Sequence, residues 1–102
     1  MLNEFNVFIM NYTIEGLIQN IQSIIDGDPE IATDENVKKY VEAANKYEEI
    51  VNGYHSINEE KSSLEALKRS LPYIIIDNRM FGNLPKQLSE TIDERLEELK
   101  TN

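Results

Sequence analysis

Apolar residues recur every three or four positions along most of the chain, the spacing that lines one face of an α-helix. The first stripe predicts a helix over about residues 13–26, because Gly27 favours a helix end and Asp28-Pro29 is typical of a turn. Its inward positions are Ile14, Leu17, Ile18, Ile21, Ile24 and Ile25. A further apolar pattern in residues 1–12 fits either an extension of this helix or a separate short element.

A second and a fourth helix have clear start signals. Thr33 or Asp34 can cap the second helix, which ends at Asn52-Gly53, and the fourth opens at residues 83–85. The inward positions of the second helix are Val37, Tyr40, Val41, Ala44, Tyr47 and Val51. Those of the fourth helix are Leu88, Ile92, Leu96 and Leu99. Charged residues occupy the opposite faces, which is typical of helices packed around one core.

The third helix contains a proline. Asn58 can cap it, and its apolar stripe continues past Pro72. Because an interior proline removes a backbone hydrogen bond, the helix either kinks near Leu71 or ends there and leaves residues 73–76 extended. The spacing across the proline favours the continuing, kinked helix. The inward positions are Leu64, Leu67, Leu71, Ile74 and Ile75.

The two halves of the chain have similar patterns. Residues 13–17 align with residues 63–67, and the connection that follows has the same length in both halves and contains a proline. The predicted fold class is therefore all-α, a small four-helix domain. One interpretation is that the halves, 13–53 and 63–100, are an internal repeat of about 50 residues, formed by two tandem helix-loop-helix motifs that pack pseudo-symmetrically. The other is that the two halves share only the spacing that is common to amphipathic helices.

Length and composition limit the class of protein and the kinds of functional site that this chain can have. The chain has 102 residues, 40% hydrophobic and 28% charged, which predicts a single folded domain over residues 1–102. It has no cysteine, so disulfides, thiolate metal sites and cysteine nucleophiles are excluded. No apolar run is long enough to cross a membrane, and residues 1–10 contain an acid and no base, unlike a signal peptide. The predicted location is cytoplasmic.

The net charge of −9 is unevenly distributed. Seven acids and no Lys or Arg precede Lys38, whereas acids and bases nearly balance afterwards. The basic doublets Lys38-Lys39 and Lys68-Arg69 are flanked by acids, so the sequence predicts no nucleic-acid partner and no membrane partner. The acidic first third fits either a solvated surface or a surface that attracts a basic partner, and solvation is the simpler interpretation.

Motifs for catalysis or metal binding do not occur in the sequence. His55 is the single histidine and has no carboxylate at a recognisable spacing, so it is interpreted as a surface residue. Residues 26–30 resemble the start of a calcium loop, but Ile31 and Val37 stand where an EF-hand needs a glycine and a bidentate acid. The sequence therefore predicts no enzyme, no catalytic residue, no metal site and no cofactor.

Aromatic side chains provide the candidate partner-binding residues. Tyr40, Tyr47 and Tyr54 are seven residues apart, which places the first two on one face of the second helix and the third beyond its end. Tyrosine is enriched at binding surfaces, but such a row also fits a core boundary where each hydroxyl reaches water. Met80 and Phe81 form a second candidate contact, because they are large apolar residues in a predicted polar loop.

These features predict a protein or peptide partner. The leading hypothesis is a non-catalytic protein-protein interaction module that binds a peptide or partner helix in a groove between helical hairpins. One alternative is a self-associating structural subunit, a homo-oligomer in a viral or mobile-element assembly, which the Asn-, Ile-, Lys- and Glu-rich composition suggests. A further alternative is a small immunity or inhibitor protein, because the outline of short amphipathic helices is similar to that of bacteriocin-immunity proteins, although no specific motif is shared.

Overall fold

The computed structural model describes residues 13–77 and 79–101, and all regular secondary structure in these ranges is helical. The elements are α1 Ile14–Asp26, α2 Pro29–Ala32, α3 Glu35–Val51, α4 Ile57–Asp77, a 3-10 turn Arg79–Phe81, and α5 Leu84–Thr101. The predicted all-α class and its four long helices are confirmed, while α2 lies where the sequence predicts only a turn. The internal repeat stays a prediction, and the pattern in residues 1–12 lies outside the described residues.

Acidic and hydroxyl side chains fix where the first helices begin. Thr13 Oγ1 accepts a hydrogen bond of 3.0 Å from a backbone N–H in the first turn of α1. Asp34 Oδ1 accepts two such bonds, of 2.8 and 3.1 Å, at the start of α3. Asp28 Oδ1 likewise accepts hydrogen bonds from two backbone N–H groups at the start of α2. Pro29 occupies the first position of this helix, where a backbone N–H has no partner within the helix, so its missing N–H costs nothing. The acidic turn of residues 26–30 therefore performs helix capping.

The start of α4 differs from the prediction. Ser56 Oγ accepts a hydrogen bond of 3.1 Å from the Glu59 N–H, and Glu59 Oε1 accepts one of 3.0 Å from the Ser56 N–H. This reciprocal pair is a capping box, and it starts the helix at Ile57. The prediction that Asn58 caps the third helix is therefore wrong.

The C-terminal half of α4 passes through Pro72 without a break. The helix ends at Asp77, which confirms that it continues beyond the proline and excludes an extended segment over residues 73–76. Ile74 is fully buried, whereas Ile75 is 48% exposed, so the predicted inward position of Ile75 is wrong. Consecutive helical residues point about 100° apart, so Ile75 points away from the core when Ile74 points into it.

The four long helices form an antiparallel bundle. Among neighbouring helices, α3 and α4 pack most closely, followed by α4 with α5 and then α5 with α1. The fourth neighbouring pair, α1 and α3, has the least extensive contact of these four. The short α2 lies against both α1 and α3. One end of the bundle, the α2 end, holds α2 and the 3-10 turn. The opposite end, the His55 end, holds the loop of residues 52–56 between α3 and α4.

Apolar side chains from every long helix meet in one core. The connections at the α2 end contribute to it as well, because Ile31 of α2 and Phe81 of the 3-10 turn are both buried. Gly82 follows with φ of +56°, a left-handed conformation that glycine adopts without strain, and this lets the chain turn from Phe81 into α5. Within the described ranges, no helix combines the length and the low polarity that crossing a bilayer requires.

Candidate functional site

The tyrosine series is divided between the core and the surface. Tyr40 is 0% exposed and Tyr47 is 5% exposed, while Tyr54 in the loop after α3 is fully exposed. The rings of Tyr40 and Tyr47 are covered by the protein itself and belong to the core, so their faces are not open to a partner. Only the hydroxyl of Tyr47 is not fully enclosed.

Of the predicted contact residues Met80 and Phe81, which precede α5, one is exposed and the other is buried. Phe81 is 2% exposed and belongs to the core, so its predicted role as a surface contact is wrong. Met80 is 57% exposed. Tyr73 and Ile75 in the last turns of α4 are also exposed, and the Lys39 Nζ atom lies 5.4 Å from the Tyr73 ring centroid. We call Tyr73, Ile75 and Met80 the exposed apolar residues.

Tyr40 carries a polar atom that is sealed in the core. Its hydroxyl is fully enclosed and has no hydrogen-bond partner in the described part of the chain. Burial, with a further contribution from the Glu48 carboxylate, raises the pKa of Tyr40 above its usual range, so the phenol stays neutral. An enclosed hydroxyl without a partner destabilises the folded state, because it has lost its bonds to water.

Replacing Tyr40 with Phe is expected to leave the free energy of unfolding unchanged or to raise it by up to about 1 kcal/mol, because the ring is kept and the unpartnered hydroxyl is removed. Urea unfolding followed by circular dichroism measures this difference. A loss of stability of more than about 1 kcal/mol would show that the hydroxyl has a partner, such as a buried water molecule.

A groove opens between α1 and α3 at the α2 end. Its volume is about 330 Å³, and we call it the α1–α3 groove. Its lining includes Ile25, Asp26, Ala32, Lys38, Val41 and Glu42. The sequence predicts a groove between the two hairpins, but this one lies between the helices of the first hairpin. The short α2 packs against both of these helices at this end.

A charged cluster at the His55 end joins α4 to α5. The Glu60 side chain is only 7% exposed and receives two hydrogen bonds from Arg95, from Nε at 2.7 Å and from Nη2 at 3.2 Å. The Arg95 Nη1 atom also bonds Glu98 at 3.3 Å. His55 Nε2 lies 3.4 Å from Glu60 Oε1, and its Nδ1 lies 2.9 Å from the Gly53 carbonyl oxygen. The nearly buried Glu60 carboxylate is thus compensated by the Arg95 guanidinium and, when it is protonated, by the His55 ring.

The pKa values in this cluster follow from these contacts. Hydrogen bonds from Arg95 lower the pKa of Glu60 against the opposing effect of burial, so Glu60 is ionised near neutral pH. The hydrogen bond to the Gly53 carbonyl is the largest effect that raises the pKa of His55, and the Glu60 carboxylate adds to it. Sequence spacing gave no signal for this cluster, because Glu60 and Arg95 are far apart in the chain and charged residues are expected to face water.

His55 is expected to titrate with a pKa above 6.5, which NMR of its ring protons measures directly. Because the folded-state pKa is raised, the stabilisation from His55 is fully present below pH 6.5 and is lost as the pH rises through the folded-state pKa. Replacing Glu60 with Gln should lower the His55 pKa but leave it above 6.5, since the Gly53 contact remains. A pKa at or below 6.5 in the unchanged protein would contradict this assignment.

The described residues contain no group of three or more His, Cys, Asp or Glu side chains that could hold a metal ion. The fold and its clefts thus define a small all-α bundle with an apolar groove at the α2 end and a charged cluster at the His55 end. Comparison with protein-family models, with curated protein sequences and with solved structures found no significant match. The function is therefore inferred from the surfaces of this chain.

Proposed function

We propose that this chain is a non-catalytic protein-binding module whose α1–α3 groove receives the apolar face of a peptide or partner helix. The observation that carries the proposal is the apolar floor between α1 and α3, the neighbouring helices that approach each other least. Val41 is only half-buried there, and Ala32 is exposed. The groove volume lies at the lower end of the roughly 300–1,000 Å³ typical of ligand pockets, which suits a few apolar side chains.

Charge around the groove favours a basic partner. Residues 26–35, which connect α1 to α3 through α2, contain five acids and no Lys or Arg, and Asp26 and Ala32 of this segment line the groove. Asp26 and Glu42 belong to the lining itself, opposed by the ammonium of Lys38. Lys or Arg residues that flank an apolar stripe would be attracted to this acidic segment, and such attraction mainly speeds encounter. Binding should therefore weaken moderately as salt concentration rises.

The test uses a panel of short amphipathic helical peptides with Leu at successive helical turns and Lys at the flanks. Replacing Val41 with Glu should weaken the best binder at least about tenfold, because a carboxylate would occupy the apolar floor. Asn20→Glu is the matched control, since it adds the same charge on an exposed part of α1 outside the groove lining. Equal binding by the Val41→Glu variant would disprove the groove as the site, and calorimetry measures both affinities.

The exposed apolar residues support self-association as a second candidate function. Tyr73, Ile75 and Met80 lie within eight residues of one another in the sequence, and each exposes about half of its surface or more. Large apolar side chains left open at one end of a bundle can be covered by a second copy of the chain. A self-associating chain should show a mass that increases with concentration in analytical ultracentrifugation. Replacing both Ile75 and Met80 with Ser should then restore the monomer mass, whereas a monomer at all concentrations would exclude this function.

A further inference from the structure

A second cleft, separate from the α1–α3 groove, lies at the His55 end. It has a volume of about 490 Å³ and forms where the first turn of α1 meets α3 and the C-terminal half of α5. We call it the Tyr47 cleft. The lining residues that matter are Glu15 from α1, Tyr47 from α3, and Thr91, Arg95 and Glu98 from α5. Because the groove lies at the opposite end of α1, binding at the two places can be distinguished.

Tyr47 contributes to the wall of this cleft, and its hydroxyl is under the electrostatic influence of two other lining groups, the Glu15 carboxylate and the Arg95 guanidinium. The residue is 95% covered, it has no hydrogen-bond partner in the described part of the chain, and it contributes to the cleft wall. Unlike the hydroxyl of Tyr40, its hydroxyl is not fully enclosed. Buried polar groups in proteins normally have partners, so an unpartnered phenol in the wall of a cleft can bond a ligand or water there.

Carboxylates lie near the hydroxyl of Tyr47. Burial is the largest effect that raises the pKa of Tyr47 to about 12, and the carboxylates of Glu60 and Glu15 raise it further, against partial opposition from Arg95. The guanidinium of Arg95 is already paired with Glu60 and with Glu98. Its charge is therefore largely compensated, and the cleft disfavours anions and favours cations.

The cleft wall also provides hydrogen-bond acceptors. The Thr91 hydroxyl donates its hydrogen to the Gln87 carbonyl oxygen at 2.8 Å, which leaves its lone pairs for a ligand N–H. The phenol oxygen of Tyr47 can accept as well, and the Glu15 carboxylate is acceptor-only when ionised. Ammonium and guanidinium groups carry several N–H donors and a positive charge, so they match this set.

We propose that the Tyr47 cleft binds a primary ammonium or guanidinium group, held by the Tyr47 and Thr91 hydroxyls and paired with the Glu15 carboxylate. The cation has two conceivable sources, the side chain of a Lys or Arg in a polypeptide or a free small amine. This site goes beyond the α1–α3 groove, because its chemistry is polar and its residues come from the other end of the bundle.

The experiment titrates the ¹⁵N-labelled full chain with N-acetyl-lysine amide and with cadaverine, and follows backbone amide signals by NMR. Saturable shifts are expected at Glu15, Tyr47 and Thr91, with none at Ile25 or Val41. Lysine amide acetylated at both amines is the neutral control and should not bind. Tyr47→Phe and Glu15→Gln should each weaken binding at least about threefold, whereas Glu97→Gln, a matched charge removal outside this cleft, should not.

Each outcome decides the proposal. Tighter binding of the lysine amide assigns the site to polypeptide side chains, and tighter binding of cadaverine assigns it to free amines; both support the cleft. Equal binding of the neutral control, unchanged affinity in Tyr47→Phe, or non-saturating shifts at carboxylates over the whole surface would each overturn it. Thermal melts of Tyr47→Phe confirm folding, since the ring is kept. Failure here leaves the peptide test of the α1–α3 groove unaffected.

Discussion

Replacing Leu67 with Ala is expected to lower the free energy of unfolding by about 2–5 kcal/mol. Leu67 is fully buried on the inner face of α4, the helix that packs closely against both α3 and α5. The substitution removes buried apolar surface and leaves a cavity that surrounding helices fill only in part. Since small domains are stable by about 5–15 kcal/mol, the variant should lose much of its resistance to urea.

Ile75→Ala is the control for this prediction, because Ile75 lies on the same helix and is half exposed. It should change the free energy of unfolding by less than about 1 kcal/mol. Both values come from urea titrations followed by circular dichroism at 222 nm, a standard wavelength for helix content. A Leu67→Ala loss no larger than that of Ile75→Ala would show that α4 does not face the core as described.

The second large effect is expected at Glu60. Replacing it with Gln should lower the free energy of unfolding by about 1–3 kcal/mol, because the nearly buried carboxylate accepts two charge-assisted bonds from Arg95 and contacts His55. The lower part of this range is expected, since the Arg95 side chain is 39% exposed and water screens part of the interaction.

A double-mutant cycle separates the ion pair from other consequences of the substitution. Glu60→Gln and Arg95→Gln should be less than additive when combined, which gives a coupling energy between the two side chains. The exposed pair of Glu97 and Lys100, 3.7 Å apart, is the control and should show almost no coupling. Additive losses for Glu60 and Arg95 would mean that their contact contributes nothing to stability.

The long helices could be predicted from the sequence because their signals are local. Asp34 and Thr13 bond N–H groups within three residues, and the apolar stripes repeat over several turns. The short α2 was beyond this approach, since four residues do not show a helical period. The sequence predicts Asn58 as the cap of the third helix, whereas Ser56 holds this position through its reciprocal hydrogen bonds with Glu59.

The candidate sites were harder to predict, because they depend on which faces meet. A seven-residue spacing puts Tyr40 and Tyr47 on one face of α3, and the bundle turns that face inward. An apolar ring with a polar tip fits a core and a binding surface equally well, so residue type could not decide between them. Glu60 and Arg95 carry charges that pattern analysis assigns to the surface, and their pairing arises only when α4 and α5 pack together.

The pairing of the first long helix with the last implies an order of assembly. The α3–α4 hairpin closes over the five residues 52–56, and the α4–α5 hairpin closes over a similarly short link. Contact between α1 and α5 must instead bring together segments on either side of the whole α3–α4 region. Because the entropy cost of closing a loop rises with its length, we expect α3, α4 and α5 to associate first and α1 to dock last.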